Sequence, residues 1–426
     1  MLTLAVYLWT LTPGMTLGTA GIYSVGAMYA GVTGPPGYPV WTIYGWLFTK
    51  LLPFSNIAWR VAVSSAVAGA LMCGFVALMV SRGGGLMLEG IPNLRRLKPP
   101  EEKQLRVVGG CVAGMGLGFD GAFWGLAVIA DPWPLSLLSL TICLCLLFRW
   151  FYSPERRRYL YAAFFVYGVT LTCSQALAPA IVGLPFVVAL GDTKLGRDFF
   201  GVATVVWAGV WVESQNGYLS VLLPPVSLGR PLWALYFAFG ITTTALCAWL
   251  IFKTRRCFTE WRTIILLVAF FLLGLSAYLY LPLASMTNPP VNWGYARTVE
   301  GFFHVLSRGQ FERVHGTENF ASLPKQMLVF GEAAMHDLGL SYLIAAAIPF
   351  CFLRRLRLQE RRWMLGLLAF FCGLSFLMLV LLNPSPDRQA VLLIGAYFTA
   401  AHLVLAVWAG YGLILLGTNF VRKEGG

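Results

Sequence analysis

The sequence is dominated by apolar runs that are long enough to cross a lipid bilayer as α-helices. Hydrophobic residues make up 58% of the 426 residues and charged residues only 12%, whereas soluble domains carry about 25% charged residues. A helix needs about 20 apolar residues to span a bilayer, and it satisfies its own backbone hydrogen bonds there. The runs lie at 57–80, 107–130, 133–150, 159–173, 177–190, 199–211, 232–252, 263–281, 338–353, 363–382 and 391–416. They predict an all-α, multi-pass integral membrane protein with about 11–12 transmembrane helices.

The placement of the basic residues predicts the orientation of these helices. The net charge is +13, but most lysines and arginines fall in alternate loops, which the positive-inside rule assigns to the cytoplasm. The opposite loops carry a minority: Lys50, Arg60, Arg230, Arg297, Arg308, Arg313, Lys325 and Arg388. We therefore expect a bacterial cytoplasmic (inner) membrane protein. No basic loop carries interleaved aromatic residues of the stacking kind, which argues against nucleic acid as a partner.

This orientation predicts a single multi-pass domain over residues 1–426 with two sizeable loops on the outer face. We call residues 13–56 the first motif loop and residues 282–337 the second motif loop. Neither loop contains a cysteine, so no disulfide framework is expected. Residues 1–12 are too short to cross a bilayer and lack the basic flank of a signal peptide. We favour a natural start upstream of Met1 over a segment that enters the membrane only partway.

Short motifs follow one another in and around the two loops. They are PPGYP at 35–39, NIAWR at 56–60, WGLAVIADP at 124–132, YLYLP at 278–282, NPPVNWG at 288–294, TVEGFF at 298–303 and RGQF at 308–311. Proline pairs and glycines hold an extended backbone whose free N–H and C=O groups can face a ligand. In this order the motifs resemble those of glycosyltransferase family 117, also known as domain of unknown function 2723, whose vertebrate member is a protein O-mannosyltransferase.

The resemblance implies a glycosyltransferase C-like fold, but the chain departs from the family at its expected catalytic positions. The family's first loop reads roughly LTPGLTFGDSGEL, and its acidic pair is expected to do the catalytic work. Here Thr19 stands in place of the aspartate and Ile22 in place of the glutamate. The histidine that usually precedes PPGYP is Gly34, and an Asn-His-His patch appears as residues 174–176, Ser-Gln-Ala. These changes point either to an altered substrate or to lost catalysis.

Two aspartates remain as candidate catalytic residues. Asp131 aligns with the family's second-loop glutamate and precedes a proline, where a solvated turn carboxylate is the alternative interpretation. Asp120 falls inside the apolar run 107–130. An ionisable residue in a membrane segment is a functional hypothesis by default, although a local break between Gly118 and Gly121 also explains it.

The resemblance also supplies candidate substrate-binding residues. They are Pro36, Gly37, Tyr38, Asn292, Trp293 and Gly294, with Arg60 and Arg297 as cations that could meet a phosphate. Tyrosine and tryptophan also act as anchors at membrane surfaces, so Tyr38 and Trp293 have two interpretations. Each arginine alone is also typical of a charge at the membrane edge.

The implied activity is transfer of a sugar from a polyprenyl-phosphate carrier to an exported protein or glycolipid acceptor. The alternatives are a non-catalytic relative that binds the lipid carrier or a partner protein and, with less support, a secondary transporter, which would show internal repeats. His304, His315 and His336 share the second motif loop, but their spacing fits no compact metal motif. We therefore predict no metal site and no cofactor.

Overall fold

The computed structural model describes residues 1–90, 98–217, 229–309, 316–384 and 387–424. Throughout these residues the regular elements are helices, and an isolated bridge joins Val32 to Asn292. The α-helices are α1 Leu2–Trp9, α2 Ala20–Met28, α3 Pro39–Leu51, α4 Ile57–Gly90, α5 Pro99–Gly118, α6 Gly121–Ala127, α7 Trp133–Phe151, α8 Arg158–Cys173, α9 Gly183–Gly191, α10 Thr193–Asn216, α11 Arg230–Thr254, α12 Trp261–Leu275, α13 Tyr280–Met286, α14 Val299–Leu306, α15 Leu323–Leu338, α16 Leu340–Cys351, α17 Leu358–Cys372, α18 Met378–Leu382 and α19 Arg388–Glu424. The predicted all-α class is confirmed.

Many of these helices are long and apolar enough to cross a membrane. In the described ranges, seven pass by length and composition: Ile57–Glu89, Trp133–Phe151, Thr193–Asn216, Arg230–Thr254, Trp261–Met286, Leu358–Leu382 and Ile394–Thr418. Two bent pairs raise the number to nine if each pair is one span. The first joins α5 to α6 at 74°, and the second joins Phe320–Leu338 to α16 at 108°. The chain is therefore a multi-pass integral membrane protein.

Two of the segments that the sequence predicted as spans form short helices in the described residues. Segment 159–173 corresponds to α8, which has 16 residues. Segment 177–190 falls on the short apolar stretch Gln175–Gly191, which starts as a 3₁₀-helix. At 1.5 Å per residue, 16 residues reach only about 24 Å, less than the roughly 30 Å of a bilayer core.

The centre of the fold is built around α4, α5, α7 and α19. The apolar window of α19 is 78% buried inside the protein, whereas that of α11 is only 17% buried. The α19 span therefore lies among other helices, and α11 presents most of its surface outward. Aromatic side chains fill the layer between α7 and α17, where the Trp363 ring lies 5.1 Å from that of Phe148.

Helices α4 and α5 approach each other closely because glycines on α5 face carbonyl groups of α4. A β-carbon on Gly114 would lie 2.4 Å from the Cys73 carbonyl oxygen, and one on Gly110 would lie 2.5 Å from that of Ala77. Small residues four apart allow such backbone contact between membrane helices. The contact holds α5 directly against α4.

We predict that Gly114→Ala lowers the thermal unfolding midpoint of the purified protein, because the added methyl group has no room against Cys73. Overpacking of this kind costs about 1–3 kcal/mol. The matched control is Gly74→Ala on α4, where an added β-carbon meets nothing within 4 Å. Its midpoint should stay the same or rise, since alanine favours a helix by about 1 kcal/mol over glycine. Equal midpoints for the two variants would contradict the close contact.

Candidate functional site

The two motif loops lie against each other, although they are far apart in the sequence. The Val32 N–H donates to the Val291 carbonyl at 3.0 Å, and the Trp293 N–H donates to the Val32 carbonyl at 3.1 Å. The Tyr280 hydroxyl donates to the Ala30 carbonyl. These hydrogen bonds bring the PPGYP segment beside the NPPVNWG segment.

Two glycines of the first motif loop make this pairing sterically feasible. A β-carbon on Gly31 would lie 2.5 Å from the Val291 carbonyl oxygen. Gly37 has a φ of +96°, which side-chain-bearing residues rarely adopt, and a β-carbon there would lie 2.5 Å from the Leu281 side chain. The Thr33 hydroxyl donates to the Gly37 carbonyl at 3.0 Å and holds this turn closed. Gly37 of PPGYP therefore allows this turn to pack closely against Leu281 of the YLYLP motif.

A groove of about 390 Å³ opens where the loops meet. Its lining residues are Ile22, Pro290, Val291, Asn292, Trp293 and Gly294. The Asn292 side-chain nitrogen donates to the Ser285 carbonyl at 3.2 Å, while its buried oxygen has no hydrogen-bond partner in the structure. Trp293 is partly exposed in the groove. Three of the predicted binding residues, Asn292, Trp293 and Gly294, thus share one cavity with Ile22.

Asp131 lies in the turn between α6 and α7, where neighbouring groups fix its position. Its Oδ1 accepts the Trp133 N–H at 2.8 Å. The Ser65 hydroxyl donates to the Asp131 carbonyl at 3.1 Å and accepts the Asp131 N–H at 3.2 Å. Burial raises the pKa of Asp131 to about 7, although the Trp133 N–H opposes the shift. A carboxyl group with this pKa is suited to proton transfer near neutral pH.

Two tyrosines of the first motif loop lie near Asp131. The Tyr23 and Tyr38 rings meet edge to face at 5.7 Å. The pKa of Tyr38 is raised to about 12, mainly by burial. Tyr23 and the Arg308 charge oppose this rise, and the Asp131 charge adds to it. Burial also raises the pKa of Tyr23, which Thr19 opposes by hydrogen bonding. The charges of Asp131 and Arg308 therefore both act on Tyr38.

Arg60, one of the two predicted phosphate-binding cations, is engaged by its own loop. Its three guanidinium nitrogens donate to the carbonyls of Thr49, Phe54 and Ser55 at 3.0–3.1 Å. This arrangement closes the connection between α3 and α4. Arg60 thus stabilises the loop that carries the motif, and the structure does not bring it to the groove.

Arg297, the other predicted cation, lies on the exposed side of the second motif loop. It donates to the Asn288 side-chain oxygen at 2.9 Å and lies over the Tyr295 ring at 5.6 Å. Arg308, which begins the RGQF motif, influences Tyr38 electrostatically instead. The rest of that motif, residues 310–311, lies outside the described residues, as does His315.

The Ser-Gln-Ala patch joins α8 to the second motif loop. The Gln175 side-chain nitrogen donates to the Leu306 carbonyl at 3.0 Å. The Tyr278 hydroxyl donates to the Leu171 carbonyl at 2.8 Å, which anchors YLYLP to the same region. Gln175 therefore has a structural contact at the position where the family resemblance places polar site residues.

Asp120 is separate from this site and fully buried. It lies at the break between α5 and α6, and its Oδ1 accepts the Phe123 N–H at 3.1 Å, which caps α6. Its Oδ2 lies 2.6 Å from His402 Nδ1 on α19. The predicted local break is present, and it coincides with a buried polar contact. The sequence interpretation missed His402, although a histidine inside an apolar segment is itself a signal.

We predict that Gly31→Ala separates the motif loops, because its methyl group cannot fit against the Val291 carbonyl. Hydrogen–deuterium exchange at the amides of Val32 and Trp293 should become faster. Gly34→Ala is the matched control: an added β-carbon meets nothing within 4 Å, and exchange should not change. Unchanged exchange in Gly31→Ala would contradict the pairing.

Comparison with known proteins agrees with the motif resemblance. Residues 20–195, less than half of the chain, match the family model described as the protein O-mannosyl-transferase TMEM260 N-terminal domain. The protein O-mannosyl-transferase tmem260 of Dictyostelium discoideum is 34% identical over 77 residues, which are 18% of this chain and 9% of that protein. The protein O-mannosyl-transferase TMEM260 of Mus musculus is 32% identical over 98 residues, which are 22% of this chain and 14% of that protein. The matches thus span only a small part of either relative's length.

Among solved structures, the chain is similar to ArnT from Cupriavidus metallidurans bound to undecaprenyl phosphate. The TM-score is 0.32 at 13% identity, over 99% of this chain and 76% of that chain. The family resemblance indicated by the motifs is confirmed over residues 20–195, which match the TMEM260 N-terminal domain family.

Proposed function

We propose that this chain is a membrane glycosyltransferase that moves a sugar from a polyprenyl-phosphate carrier to an exported acceptor. The observation that carries the proposal is the pairing of both motif loops beside Asp131, a carboxyl group with a pKa of about 7. The relatives' name supports mannose as the sugar and a protein as the acceptor. In the proposed orientation, the motif loops face the outer side of a bacterial inner membrane, and residues 1–426 form one membrane domain.

Asp131 would act as the general base. The acceptor hydroxyl gives its proton to the Asp131 carboxylate while its oxygen forms a bond to the anomeric carbon of the sugar. The bond between that carbon and the carrier's phosphate oxygen breaks, and its electron pair stays on the phosphate. Arg308, whose charge already acts on Tyr38, would hold the leaving phosphate. The apolar and aromatic groove at residues 290–294 would receive the sugar or the first carrier unit.

A second candidate function is carrier or partner binding without catalysis. It is favoured by Ile22, which lines the groove at the position where the family resemblance places a glutamate. A methyl-rich surface there can contact a polyprenyl chain but cannot accept a proton. The two candidates share a binding surface and differ in what Asp131 does.

We predict that Asp131→Asn abolishes glycosyl transfer, with a rate loss of about 10²–10⁴-fold typical of a missing general base. Asparagine can still accept the Trp133 N–H, so the start of α7 is preserved. The measurement is mass spectrometry of exported glycoproteins and glycolipids from a strain that lacks this chain. A glycan should disappear in that strain and return with the wild-type chain but not with Asp131→Asn.

Glu332→Gln is the control for this experiment, because Glu332 is an exposed carboxylate on α15. It should restore the glycan fully. If Asp131→Asn restores the glycan as well, Asp131 is not the base. If deletion changes no glycan, the transferase proposal is wrong and the binding role gains support.

We also predict that the transfer rate rises with pH through about 7. Below its pKa, Asp131 is protonated and cannot accept a proton; above it, the carboxylate is free to do so. In right-side-out vesicles, initial rates at pH 8 should exceed those at pH 6 by about tenfold. A rate that is flat or falls over this interval would contradict the assignment.

A further inference from the structure

Three side chains with metal-binding chemistry converge inside the helix bundle, away from the groove. Asp120 comes from the junction of α5 and α6, Asp337 from the last turn of α15, and His402 from α19. One carboxylate oxygen from each aspartate and one ring nitrogen of the histidine all lie within 4.8 Å of one another. In the sequence, Asp337 lies 217 positions after Asp120 and His402 lies 65 positions after Asp337, so only the fold brings the three residues together.

Both bent helix pairs break at this point. Asp120 occupies the 74° break between α5 and α6, and Asp337 immediately precedes the 108° break between α15 and α16. The two breaks are neighbours, since a β-carbon on Gly121 would lie 3.8 Å from Asp337 Oδ1. Discontinuous helices in membrane proteins commonly mark binding sites for ions or substrates. Here two of them meet against one face of α19.

The cluster lacks a compensating positive charge from a lysine or arginine. The side chains of Asp120 and His402 are 0% exposed and that of Asp337 is 10% exposed. Across the described parts of the chain, no lysine or arginine forms an ion pair with either aspartate. The exposed His336 contacts Asp337 from outside, at 3.1 Å. Two neighbouring carboxylates in such surroundings are unfavourable unless a cation or a proton neutralises them.

His402 directs one ring nitrogen toward the Asp120 carboxylate. Its Nδ1 lies 2.6 Å from Asp120 Oδ2, which fixes the orientation of the ring. An ion shared with Asp120 would therefore bind His402 through Nδ1, because Nε2 lies on the far side of the ring from that carboxylate. Imidazole nitrogen and carboxylate oxygen are both ordinary ligands of transition-metal ions.

We propose that Asp120, Asp337 and His402 bind one divalent transition-metal ion of the Zn²⁺ class. Carboxylate oxygen and imidazole nitrogen are its ordinary ligands, at about 2.0–2.2 Å. In a tetrahedral site with these bond lengths, the donor atoms are about 3.4 Å apart. Ion binding would therefore replace the 2.6 Å contact between His402 Nδ1 and Asp120 Oδ2, and donors that are now up to 4.8 Å apart would move closer together. Three protein ligands leave room for water in the remaining position.

The ion would hold α15 and α19 against the break between α5 and α6. Helix α6 leads from this break into the turn that contains Asp131. The Trp133 side-chain nitrogen, two residues after Asp131, donates to the Thr399 hydroxyl at 2.8 Å. Thr399 lies one helical turn before His402 on α19. Metal binding would therefore stabilise the wall behind the proposed catalytic residue. The site is independent of the proposed function, because its occupancy is measurable without any transfer reaction.

The test is metal binding by the full chain, purified in detergent without a polyhistidine tag. After removal of metal with a chelator, the protein is dialysed against Zn²⁺ and analysed by inductively coupled plasma mass spectrometry. We expect one equivalent of zinc per chain and a rise in the thermal unfolding midpoint on zinc addition. His402→Ala and Asp337→Asn should each lose the bound zinc and the rise, whereas His304→Ala, which alters an exposed histidine of the second motif loop, should lose neither.

X-ray absorption of the wild-type zinc protein keeps the test independent of how the variants fold. It should show only nitrogen and oxygen neighbours at 2.0–2.2 Å. Substoichiometric zinc in the wild type, sulfur neighbours, or full zinc binding by folded Asp337→Asn would each overturn the proposal.

Discussion

Two backbone hydrogen bonds between Val32 and the segment 291–293 hold the candidate site together. Irregular backbone at a membrane surface must satisfy its polar groups within the protein, and here each motif loop satisfies the other. Glycine is required at Gly31, because a side chain there would collide with the Val291 carbonyl of the second loop, and at Gly37, because a side chain there would collide with Leu281. The groove lies at this contact, between Ile22 of the first loop and residues 290–294 of the second.

The carboxyl group that we propose as the base lies away from the position where the family resemblance places one. Thr19 and Ile22 stand where an acidic pair is expected, and Ile22 gives the groove an apolar wall. Asp131 is the carboxyl group near these loops whose environment favours proton transfer at neutral pH, because burial raises its pKa to about 7. An enzyme that relied on Asp131 would bring its base from the α6–α7 turn rather than from the first motif loop.

The sequence predicted the helical class and the groove residues Asn292, Trp293 and Gly294, because apolar length and motif order are local properties. It could not predict that the Arg60 guanidinium donates hydrogen bonds to three loop carbonyls, because those partners depend on how the α3–α4 connection turns. The bounds of α8 were predicted to within one residue, but its 16 residues are too few for a full span. Asp120 was recognised as unusual, but its partners Asp337 and His402 lie on distant helices that only tertiary packing brings together.

We propose that the paired motif loops form a binding surface for a polyprenyl-phosphate carrier. Photocrosslinking of the full chain in vesicles with a diazirine-bearing polyprenyl phosphate, followed by mass spectrometric mapping of the modified peptides, tests this directly. We expect adducts within residues 19–38 and 290–308 that excess unlabelled polyprenyl phosphate removes. Adducts confined to the basic loops on the other side of the membrane, or adducts that competition does not reduce, would contradict it.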